Sequence, residues 1–105
     1  MKRLACILVA TLIAVGACRP AAPPVTAAHA EWAASQWPST TRDDLERGRQ
    51  LYMTKCSACH RPRDPMEKTP GEWPGEIAEM QERAHLAPDE VMLIEHYVVT
   101  VASMK

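Results

Sequence analysis

The motif Cys56-Ser57-Ala58-Cys59-His60 constrains this chain more than any other feature of its 105 residues. It puts two thiols and an imidazole within about one turn of backbone. The segment from residue 41 to the end holds only about 65 residues, and ordering each of them costs on the order of 1.5 kcal/mol of conformational entropy. A core this small rarely suffices, so we expect the motif to bind a group that staples the domain together.

A Cys-x-x-Cys-His sequence is the attachment signature of c-type haem. The two thiols reach the vinyl groups on one porphyrin edge and form thioethers, and His60 supplies an imidazole to the iron. A thioredoxin-like redox pair would need a preceding strand. A structural zinc site would need two more ligands; His85 and His96 could contribute, but there is no second cysteine pair. The sequence predicts one covalent haem c, bound through Cys56 and Cys59 with His60 on the iron.

The chain beyond residue 40 predicts an all-α domain without strands. The expected helices span about 41–56, 69–84 and 87–101. Thr41 and Asp44 form a capping pattern at the first helix, which runs into Cys56. The other two helices begin with proline near their first position, a common helix start. Pro74 delays the regular part of the second helix by about a turn.

Residues about 44–101 also carry a family pattern. Gly48 and Tyr52 lie ahead of the Cys-x-x-Cys-His motif, and Ile94 and Tyr97 lie in the last helix. This arrangement resembles the class I, cytochrome c-like haem domain. The resemblance implies that the first and last helices cross, with the small residue allowing close approach. The chain after His60 is short, and residues 72–80 look like a short variant found in small cytochrome domains that serve larger oxidoreductases.

A class I domain usually places a methionine sulfur opposite the histidine. The candidates after His60 are Met66, Met80, Met92 and Met104, with His85 and His96 as nitrogen alternatives. At 100° per residue, Met80 shares a narrow apolar face with Trp73 and Ile77, so we predict that it points inward and binds the iron. Met92 and His96 fall on the outer side of the last helix. Met66, His85 and an open sixth position stay as alternatives.

The N-terminus predicts export and a lipid anchor. Residues 1–17 have a positive start and an apolar stretch of about a dozen residues, which fits a signal peptide and is too short to span a bilayer. Val15-Gly16-Ala17-Cys18 resembles a bacterial lipobox, in which Cys18 would be lipidated; ordinary secretory cleavage is the alternative. Cys6 would leave with the signal peptide. By resemblance to many lipoproteins, Arg19 after the cysteine permits transfer to an outer membrane.

Residues 18–40, rich in proline and alanine, read as an extended tether to a domain at 41–105. Trp32 and Trp37 are unusual in a linker, and we expect one or both to dock on the domain.

The predicted function is one-electron transfer by a membrane-tethered, periplasmic monohaem cytochrome that catalyses nothing by itself. Its partner would be a redox protein or an oxidoreductase of the same compartment. An open-site haem protein, either a gas sensor or a haem enzyme subunit, is the alternative, and a lipoprotein with a zinc or disulfide Cys-x-x-Cys is a third.

Charges are nearly balanced, at 12 Lys and Arg against 13 Asp and Glu. There is no basic patch, which argues against nucleic acid.

Overall fold

A computed structural model describes residues 22–56 and 62–104. These ranges contain four α-helices and a short 3-10 helix, and no strand. The elements are α1 (Ala27–Gln36), α2 (Arg42–Lys55), the 3-10 helix (Pro65–Glu67), α3 (Trp73–Arg83) and α4 (Pro88–Ser103). The predicted all-α class is therefore confirmed. None of the described helices is long and apolar enough to cross a membrane.

The helix starts follow the capping patterns in the sequence. At α2, the Thr41 hydroxyl accepts from the Asp44 amide at 3.1 Å, and the Asp44 carboxylate accepts from the Thr41 amide at 2.9 Å. The hydrogen bond from the Thr41 backbone also lowers the pKa of the Asp44 carboxyl. At α4, the Ala87 amide donates to the Glu90 carboxylate at 3.0 Å. Helix α3 begins at Trp73, with Pro74 in its first turn, as the predicted delay requires.

The segment before α2 differs from the expected extended tether. Residues 27–36 form α1, opened by Thr26, whose hydroxyl accepts from the His29 amide at 3.2 Å. The physical reason is that the prolines flank this alanine-rich stretch and do not interrupt it, and alanine is the best helix former. The expected docking of a tryptophan is confirmed at Trp37, whose ring stacks on His96 of α4.

Helices α2 and α4 pack tightly against each other at Gly48. A Cβ atom at this position would lie 2.1 Å from the Leu93 carbonyl oxygen and 3.0 Å from the Tyr97 Cβ. Leu45 and Val98, which flank the contact, are fully buried. The two backbones can approach this closely only because residue 48 has no side chain.

We expect Gly48→Ala to lower the free energy of unfolding by about 3 kcal/mol or more, the upper end of the cost of overpacking. The clash is with the α4 backbone, which cannot move aside as a flexible side chain can. The matched control is Gly75→Ala in α3, where an added Cβ has no atom within 4 Å. That change should be neutral or stabilise by up to about 1 kcal/mol. Urea denaturation followed by circular dichroism measures both; equal midpoints for the two variants would contradict the predicted contact.

Candidate functional site

A cavity lies where the C-terminal end of α2 meets α3, α4 and residues 62–68. It contains about 450 Å³ of space, its open mouth included. Its lining residues are Tyr52, Cys56, Pro62, Arg63, Lys68, Trp73, Glu76, Ile77, Met80, Leu86 and Ile94. Most of these are apolar or aromatic, and a concave site lined mainly by such side chains, with a few polar groups, is the usual form of a ligand pocket. The cavity is therefore the candidate functional site.

Cys56, the first residue of the Cys-x-x-Cys-His motif, lies in the wall of this cavity. It caps the end of α2, and its side chain is buried, with 7 % of its surface exposed. Pro62, the first described residue after the motif, also lines the cavity. Cys59 and His60 lie outside the described residues, as does Cys18. Of the predicted attachment residues, the structure thus places Cys56, and it places this residue in the cavity wall.

Met80 reaches the same cavity from α3. Ile77 and Trp73, one and two turns before it, are buried at 4 % and 3 % exposure, and all three line the cavity. Met80 thus lies in the cavity wall, on the same side of α3 as Trp73 and Ile77, and its binding to iron stays a prediction. The Cys56 thiol, at the end of α2, and the Met80 thioether, on α3, therefore line the same apolar cavity.

The alternative ligands lie elsewhere. Met66 is half-buried in the 3-10 helix and packs against the core outside the cavity lining. His85 is exposed just after α3, in a left-handed conformation with φ of 54°, beside a separate surface depression. Met92 is 49 % exposed on α4. The ring of His96 stacks against Trp37 on a different side of α4. Among the described candidates, only Met80 lines the cavity.

Two aromatic side chains hold the loop at residues 62–68 against the cavity. The Tyr52 hydroxyl donates to the Arg63 carbonyl, and the Trp73 indole donates to the Pro65 carbonyl at 2.8 Å. The two rings meet edge to face, with centroids 6.0 Å apart. Burial raises the pKa of Tyr52, which keeps its hydroxyl protonated and able to donate. The sequence pattern placed both residues on helix faces but gave no sign of these loop contacts.

Arg63 and Lys68 add positive charge to the cavity wall, a feature that the sequence analysis missed. The Lys68 ammonium lies 3.6 Å from the Glu76 carboxylate. Arg63 is exposed, and its backbone is held by Tyr52. Both residues lie in the short segment after the motif. Charged residues are common in surface segments, so nothing in the local sequence marks these two as part of a cavity wall. Glu76 lines the same cavity and its carboxylate offsets the charge of Lys68, so Arg63 is the cation of the wall that lies outside this pair.

A haem would need apolar walls around the macrocycle, thiols for its vinyl groups, a soft or imidazole ligand for its iron and a cation near its propionates. Among the described residues, Cys56, Met80 and Arg63 are of these kinds and line one cavity. Within the described ranges, no three His, Cys, Asp or Glu side chains gather into a metal-binding group.

Comparison of the chain with protein-family models, with curated proteins and with solved structures gives no match.

Proposed function

We propose that this chain is a monohaem c-type cytochrome that transfers one electron at a time and is not itself an enzyme. Cys56 and Cys59 would hold its haem covalently, and His60 and Met80 would bind the iron. One observation supports this above the others. Cys56, the first residue of the Cys-x-x-Cys-His motif, and Met80, predicted from its helix face, line the same apolar cavity.

The residues of the cavity have separable roles in this proposal. When bound, the haem supplies an iron that cycles between Fe(III) and Fe(II). The Met80 thioether would favour the ferrous state and so raise the reduction potential. Trp73, Ile77 and Ile94, all buried, keep water from the site and lower its dielectric constant. Arg63, in the cavity wall, would offset the negative charge of the propionates, whereas Lys68 is paired with Glu76.

The proposed setting is the periplasmic side of a bacterial membrane. Residues 1–17 would direct export, and Cys18 would carry the lipid. The partner would be another redox protein or an oxidoreductase of that compartment. With His60 and Met80 both holding the iron, no position would be left there for a substrate, which is why the proposal is electron transfer and not catalysis.

A peptide mass measurement tests the proposal. The full chain is produced in a host with haem-ligation machinery and digested with trypsin. The peptide of residues 56–63, bounded by Lys55 and Arg63, should carry the mass of one haem, since cleavage after Arg61 is blocked by Pro62. The protein should also keep a haem stain on a denaturing gel. A peptide 56–63 that carries no haem, or that carries a disulfide or zinc, would overturn the proposal.

A further inference from the structure

Residues 22–40, here called the N-terminal strap, are bound to the helical core at their first residues. Side chains of α2 and α4 donate hydrogen bonds to three of its backbone carbonyls. Arg49 Nε donates to Ala22 at 3.0 Å, the Tyr97 hydroxyl to Pro23 at 2.7 Å, and Arg42 Nη2 to Val25 at 3.1 Å. Ala22 and Val25 are also buried, at 1 % and 8 % exposure. The strap is therefore fixed from residue 22 onward.

The other end of the strap also contacts the helical core, through His96 of α4. The Trp37 ring stacks on His96 of α4, with centroids 3.9 Å apart and planes 10° from parallel. The Thr40 hydroxyl lies 3.0 Å from Nδ1 of the same His96. Between the two ends, Ala33 of α1 is completely buried. Since both ends and the middle are docked, the strap adds no free length between the helical core and the residues before Ala22.

This geometry limits how far the domain can stand from a lipidated Cys18. Only Arg19, Pro20 and Ala21 lie between Cys18 and Ala22, so the two Cα atoms can be at most about 14 Å apart even when fully extended. We infer that the strap is a positioning element. It holds the domain against the bilayer, so that the surface of α2 and α4 around Ala22 faces the lipid headgroups. The inference rests on the proposed lipidation of Cys18.

The cavity lies close to the same end of the molecule. Arg49, which binds Ala22, lies on α2, and Cys56, in the cavity wall, caps the end of this helix about two turns later, or roughly 10 Å along the helix axis. Two turns also bring them to nearly the same side of the helix. The proposed redox centre is thus held near the membrane surface, and its partner must be one that works at that surface.

Neutron reflectometry on a supported bilayer tests the inference. The lipidated full chain is reconstituted into phosphatidylethanolamine and phosphatidylglycerol, after mass analysis has shown acyl chains on Cys18. The water layer between headgroups and protein should be no thicker than about 14 Å. Insertion of a Gly/Ser segment of about 20 residues between Arg19 and Pro20 should widen the layer by on the order of 25 Å. The same segment added after Lys105 is the control and should leave the layer unchanged.

The outcomes separate this inference from the proposed function. A thick water layer in the unchanged protein, or a layer that the inserted segment does not widen, overturns the inference even if the haem is present. Absence of acyl chains on Cys18 overturns it at its premise. Haem content is measured on the same preparation. A haem-free chain that still lies within about 14 Å of the headgroups would contradict the proposed function and support the strap's positioning role.

Discussion

Replacing both Cys56 and Cys59 by serine should give a chain that carries no covalent haem and does not fold stably. Serine hydroxyls do not form the thioethers, so the haem would lose its covalent attachment. The apolar cavity would then lack its proposed ligand, and a domain of this size has little other core to compensate. We expect the haem stain to disappear and the cooperative thermal transition to be lost. The stain and circular dichroism measure the two effects.

Ser57→Ala is the matched control, because it changes a spacer position and leaves both thiols and His60 in place. It should retain a full complement of covalent haem. Cys56→Ser alone should leave at most the one thioether from Cys59. Covalent haem in the double serine variant at the level of the unchanged protein would show that the motif is not the attachment site.

The three helices around the cavity could be predicted because their signals are local. Thr41 and Asp44 cap α2 across a single turn, and the Ala87 amide meets Glu90 in the same way at α4. The inward face of α3 follows from the spacing of Trp73, Ile77 and Met80. These contacts depend on residues that are near neighbours in the chain, so the sequence pattern is sufficient to find them.

The strap could not be predicted because its contacts are distant in the chain. Alanine and proline indicate a linker by composition, whereas the hydrogen bonds from Arg49 to Ala22 and from Tyr97 to Pro23 exist only once α2 and α4 have packed. The same holds for the Trp73 indole, which binds the Pro65 carbonyl after the loop has folded back. In each case a side chain that local periodicity assigns to a helix surface or core also donates to a remote carbonyl.

Removing the Met80 sulfur should open the iron of the proposed haem. Met80 is the one described methionine in the cavity wall. It lies on the same face of α3 as Trp73 and Ile77, which are buried. In Met80→Ala, the reduced protein should bind CO rapidly and stoichiometrically, whereas the unchanged protein should bind almost none. The potential should fall by on the order of 0.1 V, within the roughly 0.8 V that axial ligands can span. Met80→His should restore six-coordination and keep the lower potential.

Two other methionine variants test whether Met80, the methionine in the cavity wall, is the sulfur that binds the iron. Met92, 49 % exposed on α4, and Met66, which packs against the core from the 3-10 helix, should each be replaceable by alanine with little change in CO binding or potential. If Met66→Ala opens the iron while Met80→Ala does not, the loop at 62–68 supplies the ligand and Met80 is ordinary core. If the unchanged protein binds CO readily and Met80→Ala has no effect, the sixth position is open and the protein is a gas-binding or catalytic haem protein. In either of these cases Met80 would line the cavity as a packing residue, which is the commoner role of a helical methionine.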